Sequence, residues 1–216
     1  TVVETLAELK QTIADNKDFF VATIDYALPD AQNGEAISYV LDNGIPGLVM
    51  TGKMDLATRQ QILKQPVIDY IPKENTQAFL YLKRILQSQI TNQQVKVLVV
   101  DDSRQALNHV VELLERRNFN TFTAKNGVEA LNVLADHPDI KLVITDHEMP
   151  EMDGITLTNQ IRKLYERNSK IIIGISGSSN GIHSARFIKN GADDFLRKPF
   201  CPEEFYCRVM QNMEML

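Results

Sequence analysis

Four short apolar runs in the second half of the chain each lead into a polar residue: Val95 to Val100 before Asp101-Asp102, Lys141 to Thr145 before Asp146, Ile171 to Ile175 before Ser176, and Asp193 to Arg197 before Lys198-Pro199. Near-continuous apolar runs of this length are expected of parallel strands whose two faces are both covered by helices. The stretches between them carry helical spacing instead. Leu107, Val110, Val111 and Leu114 form one stripe, Leu131 and Leu134 a second, Leu157, Ile161 and Leu164 a third, and Phe205, Val209 and Met213, after Pro202, a fourth. Alternating strand and helix predicts a doubly wound α/β sheet, in which polar residues at the carboxyl ends of strands meet on one rim. No stop signal follows the last stripe, so a further segment is expected after it.

The first half repeats the plan. Phe19 to Ile24 leads into Asp25-Tyr26-Ala27-Leu28-Pro29, Leu48-Val49-Met50 into Thr51-Gly52, and Tyr70-Ile71-Pro72-Lys73 matches Phe195-Leu196-Arg197-Lys198. Thr51 and Lys73 are 22 positions apart, as are Ser176 and Lys198, which reads as a tandem repeat. A helical stripe of Phe79, Leu82, Ile85 and Leu86 lies within Asn75 to Ile90, followed by a polar tether. The expected division is 1–90, a linker at 91–94, and 95–216. The copies differ. The first has one extra residue between Pro29 and Gly34 and no acidic pair, and Thr1 to Glu4 aligns with the end of the second strand of the later copy. Its first strand and first helix are therefore expected to be missing, as in a fragment of a longer chain.

The rim residues carry a recognisable chemistry. Asp101, Asp102 and Asp146 crowded together would repel by roughly 4 kcal/mol per pair at 4 Å and an effective dielectric near 20, so they point to a cation. All-oxygen donors with room for water favour Mg2+ over zinc. A carboxylate at a loop tip is a nucleophile toward phosphorus, Lys198 neutralises incoming phosphoryl oxygens, and Ser176 donates to one of them. A lone Asp at a strand end is more often a helix cap and a lone Lys-Pro a turn. The whole set, in order and each on its own strand end, is not explained that way.

On these residues, 95–216 resembles a receiver domain of two-component response regulators. The resemblance rests on Asp101 and Asp102, on Asp146 in Asp146-His147-Glu148-Met149-Pro150-Glu151-Met152-Asp153-Gly154, on Ser176, and on Lys198 in Lys198-Pro199-Phe200. It implies a flavodoxin-like five-stranded parallel sheet ordered 2-1-3-4-5, twice in tandem, with the first copy incomplete. It further implies that Asp146 accepts a phosphoryl group from a histidine kinase or histidine phosphotransfer protein. Mg2+ would be held by Asp102, Asp146 and the backbone carbonyl of Glu148, with Asp101 acting through water, and Phe195 would be the switch aromatic beside Ser176 and Lys198. A downstream output domain, a GGDEF diguanylate cyclase being one frequent arrangement, and a homodimer through the helix 4, strand 5 and helix 5 face are implied partners. For the first copy two readings stay open: a phosphoacceptor site of Asp25, Thr51 and Lys73 with Tyr70, or a copy that only docks. A haloacid-dehalogenase-like phosphatase uses similar groups, but there the nucleophile leads the chain and the acidic pair comes last.

Composition narrows the rest. The chain has 216 residues, 44% of them hydrophobic and 24% charged, which suits two ordinary domains. Its net charge of −5 and the lack of a basic run argue against nucleic-acid binding, and no run is long enough to span a bilayer. A cytoplasmic location is expected. Cys201 and Cys207 have no zinc spacing and are expected to be reduced and to pack around the last helix. Gly47 to Lys53 matches a phosphate loop as far as its Lys, but Met54 follows and the interior is strand-like. Gly174-Ile175-Ser176-Gly177 lacks a correctly placed third Gly for a dinucleotide fingerprint. His109, His137, His147 and His183 lack ligand spacing, and His147 reads as an exposed loop residue.

Overall fold

The strand runs fold into two parallel sheets. The computed structural model describes residues 1–216 except 17, 53, 54, 74, 75, 178–181, 215 and 216. Its chain divides into two units, Thr1–Ser88 and Gln89–Leu216.

The first unit runs α1 (Leu6–Asp15), β1 (Ala22–Asp25), α2 (Glu35–Asp42), β2 (Gly47–Thr51), α3 (Leu56–Leu63), β3 (Asp69–Pro72) and all but the last three residues of α4 (Thr76–Thr91). Its sheet is ordered β1-β2-β3, with central β2 buried throughout. This removes any phosphate loop from the Gly47 segment, because the residues that would cradle phosphate are a buried strand. Thr5 and Asp55 cap α1 and α3 by accepting from Glu8 N and Thr58 N, each satisfying one of the free amides of a first helical turn. Thr1 to Val3 form no strand, in contrast to the expected end of a second strand. A second strand pairs only with the first, and among the described residues of this unit no such partner is present. In α4 the inward residues are Ala78 and Ile85 with Tyr81, Leu82 and Leu86 beside them, whereas Phe79 is 61% exposed, one step off the expected stripe. Thr91 closes α4, and Asn92–Gln94 form a 3-10 turn.

The second unit continues with β4 (Lys96–Val100), α5 (Arg104–Arg116), β5 (Asn120–Ala124), α6 (Gly127–Asp136), β6 (Leu142–Asp146), α7 (Gly154–Leu164), β7 (Ile171–Ser176), α8 (Ile182–Lys189), β8 (Asp194–Arg197) and α9 (Pro202–Met213). The five strands are ordered β5-β4-β6-β7-β8, the 2-1-3-4-5 arrangement that the resemblance implies. Ser103, Asn126 and Asp153 cap α5, α6 and α7 with their side chains, which fixes where the rim loops end. Two cores cover the sheet. One joins Val97, Val99, Ile144 and Ile173 to α5 and α9, and the other joins Leu98, Val143 and Ile172 to α6, α7 and Phe187 of α8. Leu164 departs from its expected inward stripe at 65% exposed, because it is the last residue of α7 and the backbone turns extended at Tyr165. Cys201 and Cys207 are exposed free thiols rather than packing residues. Helix α9 turns Phe205, Tyr206 and Val209 inward, and Cys201 lies at its start outside that stripe.

Candidate functional site

The ends of β4, β6 and β8 bring Asp101, Asp146 and Lys198 together. Lys198 Nζ donates to Asp101 Oδ2 at 2.7 Å and to Asp146 Oδ1 at 2.5 Å. The other oxygen of each carboxylate is held by backbone: Asp101 Oδ1 accepts from Ser103 N at 2.9 Å and Asp146 Oδ2 from Glu148 N at 2.9 Å. Ser176, buried, ends the neighbouring strand β7, and its carbonyl accepts from the Lys198 amide at 2.9 Å. Phe195 lies half-buried on β8 against Phe187 of α8. Asp102 differs from its neighbour: Asp101 is buried and Asp102 exposed at the mouth of the rim. Gly154 is required by geometry, since a Cβ there would lie 2.0 Å from the Asp146 carbonyl oxygen.

Burial dominates the electrostatics. It pushes the Asp146 carboxyl above the usual carboxylate range, with Lys198 pulling the other way and Asp101 adding to the rise. For Lys198 burial opposes the charge, yet its hydrogen bonds to Asp101 and Asp146 win and its ammonium is held more firmly than usual. One ammonium between two desolvated carboxylates leaves a local excess of negative charge. Among the described residues no three carboxylates, imidazoles or thiols form a closed metal cage. Mg2+ keeps several waters and is taken by one or two carboxylates, so an all-oxygen rim with buried Asp101, half-buried Asp146 and exposed Asp102 fits it.

The first unit builds the same frame with fewer charges. Lys73 pairs with Asp25, its amide donates to the Thr51 carbonyl at 2.8 Å, and Ala27 N donates to Asp25 Oδ1 at 3.3 Å. Thr51 is buried and Tyr70 half-buried. The extra residue is absorbed in a tight turn in which Leu28 and Ala31 exchange backbone hydrogen bonds, after which Gly34, at φ +80°, donates to Tyr26 O at 3.1 Å. Gly154 likewise donates to His147 O at 3.0 Å, so the two loops rejoin the same frame.

One expectation needs correction. His147 is 7% exposed, not a solvated loop residue. Its ring meets His183 edge-on at 4.2 Å and Phe187 at 5.8 Å, both from α8. Burial first, then the neighbouring His183, lowers its pKa below the ordinary imidazole value. A backbone hydrogen bond closing the loop one residue after the strand turns this side chain inward, a contact between distant segments that spacing along the chain does not reveal.

Comparison with known proteins agrees with the geometry. A sequence-family model for the response regulator receiver domain matches residues 97–210. A CheY homologue of Campylobacter jejuni is 35% identical over 112 residues, covering 50% of this chain and 85% of its own. The transcriptional regulatory protein CpxR of Escherichia coli is 32% identical over 114 residues, 53% of this chain and 47% of its own. The chain spans about half the length of CpxR and of a rice two-component response regulator, of which it covers 55%. A crystal structure described as a two-component system response regulator/GGDEF domain protein superposes with a TM-score of 0.87 at 38% identity, over 99% of this chain and 86% of that one. A Borrelia burgdorferi CheX-CheY complex with BeF3 and Mg2+ superposes with a TM-score of 0.51 at 31% identity, over 54% of this chain and 87% of that one.

Proposed function

The chain belongs to the response regulator receiver domain family, and from that premise we propose that Asp146 is the phosphoacceptor of the second unit and that its charge sets the state of an output domain. The observation that carries this is the pair of carboxylates, buried Asp101 and half-buried Asp146, sharing the Lys198 ammonium beside Ser176. In transfer from a phosphohistidine donor, a carboxylate oxygen of Asp146 bonds to phosphorus, the phosphorus–nitrogen bond breaks with its electron pair going to nitrogen, and the freed imidazole takes a proton from water. Asp101, Asp102, Asp146 and the Glu148 carbonyl would hold Mg2+. The ion supplies charge neutralisation for the phosphoryl oxygens. Lys198 is already aimed at the Asp146 oxygen and keeps its positive charge, so it can follow the added negative charge. Ser176 donates to a phosphoryl oxygen, and Phe195 turns inward as the strand end closes up.

The donor is a histidine kinase or phosphotransfer protein, and the face of α8, β8 and α9 is the surface that changes partners or dimerises. Likeness to a response regulator/GGDEF domain protein over nearly the whole chain supports a diguanylate cyclase output. Among the described residues no helix is long and apolar enough to cross a membrane, which accords with a cytoplasmic regulator. The division at 1–90 and 95–216 and a docking role for the first unit belong to the same proposal, with Asp25, Thr51, Lys73 and Tyr70 as the alternative phosphoacceptor set. Intact mass after incubation with acetyl phosphate and Mg2+ tests it, on wild type, Asp146→Ala and Asp25→Ala. One adduct, lost only in Asp146→Ala, is expected. Two adducts would make the first unit a second input. No adduct with steady release of phosphate would return the hydrolase reading.

A further inference from the structure

The residue after the acceptor Asp is wired to the helix after the next strand in both units. In the second unit the His147 ring packs on His183 and on Phe187 of α8, and Phe187 in turn packs on Phe195 at 5.7 Å. Phe187 is fully buried and lies directly on Gly174, where an added Cβ would come within 2.5 Å of its ring. Gly174 is paired across the sheet with Thr145, the residue before Asp146, on one side and with Phe195 on the other. Phe187 thus occupies a slot whose walls are the acceptor strand and the switch strand. It cannot shift without moving both, because a close-packed interior transmits a displacement instead of absorbing it.

The first unit makes the same connection with different atoms. Tyr26 follows Asp25, is 4% exposed, and its hydroxyl donates to Gln61 Oε1 of α3 at 3.0 Å. Ile62 beside Gln61 is fully buried in the same cluster and lies eleven positions after Thr51, as Phe187 lies eleven after Ser176. In each unit the carbonyl of the ring-bearing residue accepts a backbone hydrogen bond from the loop glycine, Gly34 or Gly154.

We propose that His147 is a positioning residue that carries the charge state of Asp146 to α8 and, through Phe187, to Phe195. A ring on the residue next to the acceptor moves with the loop when that loop closes on a phosphoryl group, and α8 has to follow it. The imidazole Nδ1 atoms of His147 and His183 are buried without a hydrogen-bond partner among the described residues, so it is ring packing rather than a hydrogen bond at Nδ1 that joins the pair. This rests on phosphorylation of Asp146.

The test separates the two claims. Wild type, His147→Ala and His147→Tyr are labelled with fluorophenylalanine, the Phe195 resonance is assigned with Phe195→Leu, and acetyl phosphate and Mg2+ are added. Intact mass counts the adduct in the same samples. His147→Ala should carry the adduct as wild type does, while the switched-to-unswitched ratio read at Phe195 falls about tenfold, within the usual span of coupling between sites. His147→Tyr, the first unit's choice, should restore the response. A full Phe195 response in phosphorylated His147→Ala would overturn the proposal, as would loss of the adduct with an unchanged melting transition, which would place His147 in the transfer itself. If the Ala variant does not fold, His147→Leu, closer in volume, decides by the same criteria. No adduct in wild type sinks the phosphoacceptor reading instead, and this inference with it.

Discussion

Replacing Lys198 by Met keeps most of the stem and removes the charge that bridges the carboxylates of buried Asp101 and half-buried Asp146. Their acceptor oxygens lie 2.7 and 2.5 Å from Nζ, so they are no more than about 5.2 Å apart, the sum of the two distances. Like charges at that separation repel by roughly 3 kcal/mol at an effective dielectric near 20. Screening does little to reduce this, because the Asp101 and Asp146 side chains are only 6% and 12% exposed. Urea unfolding at pH 7 in a chelator should therefore show Lys198→Met less stable than wild type by about 3 kcal/mol. Two conditions should relieve it. Lowering the pH lets one carboxylate take a proton, and two pH units ease that step by about 2.7 kcal/mol, so most of the loss should vanish near pH 5. Millimolar Mg2+ should restore more than half by supplying the missing positive charge. A loss under about 0.5 kcal/mol in chelator, the scatter of ordinary surface substitutions, would refute the reasoning. So would an equal loss with and without Mg2+.

Two further outcomes follow from the same geometry. Because burial raises the folded-state pKa of Asp146, the folded chain takes that proton more readily than the unfolded chain, and stability falls as pH rises from the ordinary carboxyl range through the raised value. Asp146→Asn should remove that slope and be the more stable at pH 7, read by urea unfolding across pH; a variant that keeps the wild-type slope would contradict it. Gly154→Ala should cost about 2–3 kcal/mol in thermal unfolding and slow adduct formation, since the new Cβ would lie 2.0 Å from the Asp146 carbonyl and the loop must shift. A neutral Gly154→Ala would mean that the loop is looser than this contact implies.

The strands, their parallel pairing and the convergence of Asp101, Asp146, Ser176 and Lys198 were legible because each depends on a local pattern: an apolar run and the polar residue at its end. The spacing of Thr51 to Lys73 revealed the repeat for the same reason. What spacing could not show was contact between distant segments. His147 read as exposed because a polar residue in a Pro- and Gly-containing loop usually is, and only the hydrogen bond from Gly154 to its carbonyl, with α8 packed above, turns it inward. Phe79 was misassigned by a single step of helical phase, which the packing partner decides, and Leu164 by its place at the end of α7, where the helix stops short of covering it. The exposed thiols failed in a similar way: an apolar residue type predicts burial only where its position on α9 faces the sheet.

The two units share a backbone frame and differ in dielectric surroundings, and that difference decides what a charge can do in each. Lys73 and Asp25 form their pair with side chains 36% and 39% exposed, a setting in which water screens most of the interaction. Adding negative charge there changes the local energy little, because solvent supplies the compensation. In the second unit Lys198 is 27% exposed and faces two carboxylates far more buried than itself, so compensation has to come from groups of the protein and their movement. The frame shared by both, an amide from the Lys to the Thr or Ser carbonyl and a ring following the Asp, costs neither unit anything to keep, since it is also part of the sheet and core. On the proposed reading, wiring of this kind responds more strongly to charge added at Asp146 than at Asp25, because burial there leaves the compensation to the protein.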